Sequence, residues 1–491
     1  MKLLFVYTNV NGTHLDSYAV GIHMIMSVAK RAGHDVNLIR ILKLDDYHLI
    51  DKALENFNPD IVGFTAVSSQ FSFIKDLCDI VKKQFPKIIT VVGGVHPTLD
   101  PECVMESKNL DVAFRGDSEI PFLQFLEKIE AFQSWKDCDN ISFDENGKCQ
   151  KNKLRPLLTA EELEQLPHPD RTSFNYFETL EMVGLVPFHF TRGCPFTCSY
   201  CSNIGIAKVY GQTRYNIRQP SPEYSIQEIE QVLEKYPQIR EKKYKIYFTD
   251  DVFGLNKKWR REFLKLYRER IKIPFKCLLR CDVVTEDTMQ DLARGYCYQI
   301  MFGVESGDDH VRNTIMSRDM PEETIINAFK LAKKYKIRTK ALNIIGVPGE
   351  TKEMLLNTIR LNSIIKPDET GANIFYPYKG TPLGDESFKK GLVNIERYED
   401  FSNERKQSVM NYSEEWLETL KYYHENWLKE IYPWYSLKHY SPKQFYKIKS
   451  SIKNIPLVGY LLKTIYNKLK NRSSEISSRN RINKVTQIKQ A

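Results

Sequence analysis

Short apolar runs alternate with amphipathic spans through the first third of the chain. Residues 2–7 (KLLFVY) read as a buried strand. Residues 16–31 follow with Val20, Met24 and Val28 at helical spacing and close at Gly33. Further strands are predicted at 35–41, 60–65, 88–93 and 111–114, and helices at 47–57, 71–85 and 119–132. Runs rich in Val and Ile, separated by helical spans, indicate a parallel sheet covered on both faces. Five such strands predict an α/β, flavodoxin-like doubly wound domain over residues 1–133, with its ligand at the carboxyl ends of the strands.

Residues 134–183 are more polar and read as a linker. A turn at 144–148 joins two short strands, and the proline-rich stretch 166–171 stiffens the connection. The alternation then resumes over residues 184–385. Strands are predicted at 188–191, 245–249, 275–280, 299–303, 339–345 and 369–376, separated by helices that include 225–235, 257–269, 285–294, 321–334 and 351–364. Six strand–helix units suit a partial (β/α)6 barrel whose site lies at the strand C-termini. Residues 386–435 read as a mostly helical cap, and 436–491 as a basic tail.

Composition narrows the class. Hydrophobic residues make up 42% and charged residues 27%, which excludes wholesale disorder. Ten cysteines in 491 residues are too sparse for a disulfide scaffold. No run approaches 18 apolar residues, so no membrane-spanning helix is expected. A cytoplasmic protein with reduced thiols is the expectation. From 436 to 491 there are 13 Lys and Arg against one acid, Glu475, a local +12 in a chain whose net charge is +9. The body is therefore near neutral, and a uniformly basic nucleic-acid surface is not indicated. Within the tail, Val458, Leu461, Leu462, Ile465 and Leu469 recur at helical spacing after Pro456, with Lys463 and Lys470 on another face. A helix of this kind over 456–491 suits a peripheral place on an anionic membrane. The alternatives are packing against the barrel, and RNA contact through the tyrosines among its lysines.

Candidate chemistry gathers at predicted strand ends. In the first domain these carry Asn11-Gly12, Ser68-Ser69, Gly93-Gly94 with His96, and Gly116-Asp117 with Glu119. Glycines let backbone approach a ligand, and small hydroxyls can donate to it. Turn chemistry explains any one of these loops, but four on one sheet edge point to a binding surface. No G-x-G-x-x-G follows the first strand, so a nicotinamide site is not expected.

In the second half, Cys194, Cys198 and Cys201 stand in a C-x3-C-x2-C spacing after a strand. Three thiolates turned to one side could hold three irons of a [4Fe–4S] cube and leave the fourth open for a chelating ligand. A structural zinc needs a fourth ligand, and no other Cys or His lies within a few residues. A disulfide would leave one thiol over. The other seven cysteines form no second cluster.

These pieces resemble a known family. Asp60-Ile61-Val62-Gly63, the segment 92–98 and Arg115-Gly116-Asp117-Ser118-Glu119 resemble the cobalamin-binding domain found ahead of radical SAM domains, although Asp117 and Ser118 depart from that family's usual G-E-G-E. D-x-H-x-x-G is absent, so the resemblance implies cobalamin bound without a lower axial histidine; His96 reads as a loop residue and only secondarily as a cobalt ligand. C-x3-C-x-aromatic-C is the radical SAM signature, and that resemblance covers roughly 184–383. It implies S-adenosylmethionine (SAM) chelating the open iron and cleaved, on reduction, to methionine and a 5′-deoxyadenosyl radical. By resemblance Tyr200 lies beside the adenine, Asp250 and Asp251 meet the SAM amino group, Arg280 its carboxylate, Glu305 its ribose or amino end, and Gly346 the adenosyl region.

The family implies a cobalamin-dependent radical SAM enzyme, most commonly a methyltransferase acting on an unactivated carbon through methylcobalamin. The alternatives are cyclisation or rearrangement with the same cofactors, and a non-catalytic cobalamin sensor. RNA methylthiolation would need a second three-cysteine cluster. The expected partners are a small-molecule or lipid-like substrate and an electron donor such as flavodoxin or ferredoxin.

Overall fold

The computed structural model describes residues 1–10, 19–399 and 404–432. Asn11, Gly12 and the basic tail with its predicted helix lie outside the described residues.

The first sheet has seven strands: β1 (Lys2–Thr8), β2 (Asp35–Ile41), β3 (Ile61–Thr65), β4 (Ile89–Gly93), β5 (Val112–Phe114), β6 (Ile141–Glu145) and β7 (Lys148–Lys151). Their order is β2-β1-β3-β4-β5-β6-β7. The first five are parallel, the doubly wound order that the alternation predicts. Successive side chains of β1 feed two cores, as a strand's two-residue period requires. Leu4 and Val6 pack with Ile50, Leu54, Ile74 and Leu77 on one face. Leu3 and Phe5 pack with Ile22, Met26, Phe122 and Phe125 on the other.

One expectation is corrected here. The hairpin β6–β7, placed by its polarity in the linker, belongs to this sheet, because β6 pairs antiparallel with β5. Ile141, Ser142 and Phe143 are buried and cover what would otherwise be an open edge. Asn140, just before β6, donates its side-chain amide to the carbonyls of Arg115 (2.8 Å) and Asp117 (2.9 Å), so the hairpin also shapes the loop after β5.

The second sheet runs β13-β12-β11-β10-β9-β8, all parallel and in sequence order. Its strands are β8 (Leu185–Phe188), β9 (Lys245–Phe248), β10 (Phe275–Arg280), β11 (Cys297–Glu305), β12 (Arg338–Ile345) and β13 (Glu369–Ile374). β8 and β13 do not pair, so the barrel is open, as six units require. β8 ends at Phe188, earlier than predicted. Beyond it the N–H groups of Phe190 and Thr191 donate to a carboxylate oxygen of Asp250 at 3.2 and 2.6 Å, replacing strand partners with a side chain.

The proline-rich connector is bonded to both halves. His168 C=O accepts from Ser27 Oγ at 2.6 Å, while Arg171 donates to Glu228 and to Pro187 C=O, each at 3.0 Å. Both sheets belong to one compact unit, Met1–Glu425. No helix among the described residues is long and apolar enough to cross a membrane.

Candidate functional site

The cysteine loop leaves the C-terminal end of the first barrel strand. Arg192 pairs its backbone with Arg218 (2.9 Å both ways), which pins the chain just before the first thiol. Gly193 follows at φ +91°, and a Cβ there would lie 2.3 Å from the carbonyl oxygen of Asn216. Neither the left-handed φ nor a clash with backbone can be relieved by a side-chain shift. Gly193→Ala is therefore expected to displace Cys194 and to lower both iron content and melting temperature. Iron analysis and a thermal melt check this; unchanged values in both would show the loop to be tolerant.

Cys194 and Cys198 are buried and Cys201 is partly exposed. Burial pushes the Cys194 thiol up to about 11 and the Cys201 thiol up to about 12, so near neutral pH a metal must displace their protons. Among the described residues no three Cys, His, Asp or Glu side chains converge on one point as a single metal ion would need. The three thiolates of a cube each take a different iron, so they need not converge on one point.

Around these thiols the barrel ends supply two guanidinium groups. Arg280, at the end of β10, donates through Nη1 to Cys198 Sγ at 3.1 Å. Its Nε and Nη2 are held by Asp282 (3.0 and 2.7 Å), Nη2 also reaches the Arg318 carbonyl (2.9 Å), and Phe196 stacks on its plane at 3.8 Å. Arg318, which no motif singles out, is the hub of the same corner. Its Nη1 lies 2.7 Å from Tyr200 Oη, 3.4 Å from Glu305 Oε1 and 3.9 Å from Cys198 Sγ, and its Nη2 donates to Gly303 C=O at 2.7 Å. Burial pushes the Glu305 carboxyl up, against the opposing pull of Arg318. Tyr200, Arg280 and Glu305 are thus brought together beside Cys198.

The remaining barrel residues separate. Asp251 accepts from Asn203 Nδ2 at 2.9 Å, close enough to Cys194 and Cys201 to raise both thiols. Asp250 points the other way, fully buried under Phe190 and Thr191, where it shapes the loop. Gly346, at φ +77°, packs under Leu420 of the helix Glu414–Ile431, and its carbonyl accepts from Tyr412 Oη at 3.1 Å. Its N–H donates to Glu350, whose burial pushes the carboxyl up to about 8. A folded pKa raised above the ordinary 4.5 favours the native state at low pH, and this contribution is lost as pH rises to about 8. Glu350→Gln keeps the acceptor and cannot ionise. Melting curves at pH 5.5 and 8.5 are expected to show a smaller loss for the variant than for the wild type; equal losses would exclude Glu350 as the source.

In the first domain the strand ends are stitched together. Gln70 reads the backbone of Val10 both ways (2.8 and 3.2 Å). Thr98 donates to Gly94 C=O at 2.7 Å and accepts from Gly116 N at 2.8 Å. Beside them lies a cavity of about 590 Å³ that Gly63, Gly93, Gly94, Gly116, Asp117 and Glu119 help to line. Its far wall is built from the barrel, by His189, Arg192 and Thr249. Gly63 leaves room inside β3 for the Phe5 ring, 2.9 Å from where a Cβ would be. Ser68, Ser69 and His96 do not line this cavity. His96 Nδ1 instead lies 3.2 Å from Ser68 Oγ, its ring packs on Phe71, and burial pushes its pKa down, so it is neutral.

Asp117 and Glu119 have a second attachment. Asp117 is gripped by Arg192 (3.2 Å) and Arg218 and accepts the Leu158 N–H (3.2 Å). Glu119 pairs with Arg192 through one oxygen, and the other, Oε2, is buried with no protein partner. The loop after β5 is therefore tied to the residue two positions before Cys194.

Comparison with known proteins agrees with this arrangement. Residues 8–126 match the B12 binding domain and residues 188–361 the radical SAM superfamily. An uncharacterized methyltransferase of Pyrococcus horikoshii is 30% identical over 373 residues, 74% of this chain and 77% of that protein. An anaerobic magnesium-protoporphyrin IX monomethyl ester cyclase of Cereibacter sphaeroides is 24% identical over 70% of this chain and 57% of its own. In fold, the chain is similar to the radical SAM methyltransferase TsrM of Kitasatospora setae, solved with tryptophan and a SAM analogue (TM-score 0.66, 15% identity, 79% of this chain and 76% of that one). Radical SAM domains bind a [4Fe–4S] cluster and SAM, and B12-binding domains bind cobalamin. With both domains matched in this order, and with a relative at this identity over most of both chains, the chain belongs to the cobalamin-dependent radical SAM enzymes, in which a B12-binding domain precedes the radical SAM domain.

Proposed function

We propose that the enzyme transfers a methyl group to an unactivated carbon of a small-molecule substrate. The observation that carries this reading is the shared wall: Arg192 lines the first domain's cavity and stands two residues before Cys194. Cobalamin in that cavity and the cluster at the three thiols would serve one substrate from neighbouring sites. When bound, the cluster and SAM would supply a radical that opens a C–H bond, and cobalamin would supply a methyl group drawn from a second SAM. The chain's own part is to hold and orient. Cys194, Cys198 and Cys201 would hold the cluster, Tyr200, Asp251, Arg318 and Glu305 would border SAM, and the glycines at the ends of β4 and β5 would admit the corrinoid. No protein acid or base is needed for hydrogen abstraction.

The test is product analysis after anaerobic reaction with methyl-labelled SAM and candidate metabolites or lipids. Label in the product is expected. Label confined to methionine would favour cyclisation or rearrangement, the reaction type that the name of the Cereibacter relative carries.

Cobalamin is expected without a lower axial histidine, since His96 is turned to Ser68 and the one histidine among the described residues that lines the cavity, His189, stands on the barrel wall with Nδ1 3.2 Å from Thr249 Oγ1. Spin resonance of the Co(II) form checks this, and imidazole nitrogen hyperfine splitting would contradict it. Because barrel residues complete the cavity wall and β6 pairs with β5, the full chain is expected to bind cobalamin more tightly than a fragment ending at residue 135, which lacks both. For the basic tail, a peripheral place on anionic lipid remains the reading from its charge. The full chain is expected to sediment with anionic liposomes at low salt and a chain ending at Tyr435 is not; equal behaviour would remove that reading.

A further inference from the structure

The three thiols are not equivalent. Cys194 and Cys201 receive backbone N–H groups, from Phe196 and Asn203. Cys198 Sγ receives Arg280 Nη1 at 3.1 Å, with Arg318 Nη1 behind it at 3.9 Å. We infer that Arg280 is a positioning residue of the cluster, raising its reduction potential through Cys198, and not the clamp that holds the carboxylate of SAM. This rests on the reading that the three thiols carry a cluster.

The donor count decides between the two roles. A guanidinium has five N–H groups. On Arg280, Nε and one Nη2 hydrogen go to Asp282, the other Nη2 hydrogen to the Arg318 carbonyl, and one Nη1 hydrogen to Cys198. One N–H remains, whereas a forked carboxylate clamp needs two in parallel. The side chain is 8% exposed and its plane is covered by Phe196, so turning toward another ligand would break these bonds.

The electrostatic consequence has a definite sign. One-electron reduction adds negative charge to a cluster and its sulfurs. A buried donor to one sulfur stabilises that added charge and raises the potential, and hydrogen bonds to sulfur are among the levers that set it. Asp282 offsets the net charge of Arg280, and what distinguishes this thiolate from the other two is that its donor is a buried guanidinium instead of a backbone N–H. Sequence spacing places Arg280 at a strand end but gives no sign that its fork is already filled.

The test is a redox titration of the reconstituted full chain, followed by spin resonance without SAM. The wild type is compared with Arg280→Met combined with Asp282→Asn, which removes the donor and its counter-charge together. Iron is counted first: a wild type without about four irons overturns the cluster reading itself and this inference with it. Given the cluster, the variant's reduction equilibrium is expected to fall tenfold or more, about 59 mV for one electron. SAM affinity, read by calorimetry, is expected to change less than threefold. An unchanged potential overturns the inference, and SAM binding weakened more than tenfold alongside it would identify the carboxylate clamp. Should the double variant fail to load iron, Arg280→Gln combined with Asp282→Asn, polar but too short to bring a donor to Cys198, is judged in the same way: a lowered potential supports the inference, an unchanged one overturns it.

Discussion

Replacing Cys198 by Ala is expected to take iron from about four per chain to near none and to abolish reductive cleavage of SAM. A cube held by only two thiolates of this loop loses the anchor of one iron. Of the other buried cysteines, Cys78, Cys103 and Cys138 lie in the first domain's cores and Cys277 and Cys297 in the barrel core, while Cys281, also in the barrel core, follows Arg280 directly. Cys194→Ala and Cys201→Ala should behave alike, while Cys277→Ala should keep its iron. Iron analysis and 5′-deoxyadenosine yield after reduction measure this. Full cleavage by the Cys198 variant would remove the cluster from this loop.

The second large effect is structural. Asp117→Ala should destabilise the fold by about 3–5 kcal/mol, the usual cost of removing one partner of a buried ion pair. That is a substantial share of a total that is typically 5–15 kcal/mol. Arg192 and Arg218 both face Asp117, and the Leu158 N–H bonds to it, so truncation leaves several buried groups short of a partner at once. The pH dependence has the opposite sign to that of Glu350. Burial alone would raise the Asp117 carboxyl, but the guanidinium of Arg192 and then that of Arg218 hold it below the usual range. A depressed folded pKa gives stability that is present at neutral pH and lost as pH falls below about 4. Denaturant unfolding at pH 7 and at pH 3.5 should show the variant far weaker than the wild type at the first and closer to it at the second. A difference under 0.5 kcal/mol at pH 7 would mean that the clamp contributes little.

What could be read in the chain follows the range of the interactions. The strand–helix alternation of the two sheets is local, and the order of the first five strands follows from it. The cysteine triad was legible because all three thiols lie within one loop. Arg318 was not legible: it reaches Cys198 across 120 residues after the chain turns through His310–Ile315, and no spacing announces that turn. Asp117 and Glu119 line the cavity, but a sequence cannot show that Arg192 and Arg218 also lie opposite them. Ser68 and His96 share a strand edge with the cavity residues but bond to each other. The short hairpin β6–β7 reads as linker because its apolar positions, Ile141 and Phe143, are few and are buried only by pairing with the edge of the sheet.

The central claim is that one chain uses SAM in two ways, as a radical source at the cluster and as a methyl donor to cobalamin. It can be tested before the substrate is known. The protein, reconstituted with iron, sulfide and cobalamin, is reduced anaerobically with SAM, and both nucleoside products are quantified over time. The account predicts that 5′-deoxyadenosine and S-adenosylhomocysteine both form, that Cys198→Ala abolishes the first, and that omitting cobalamin abolishes the second. 5′-Deoxyadenosine alone, with cobalamin bound and reduced, would contradict methyl transfer and leave a radical enzyme of another reaction type.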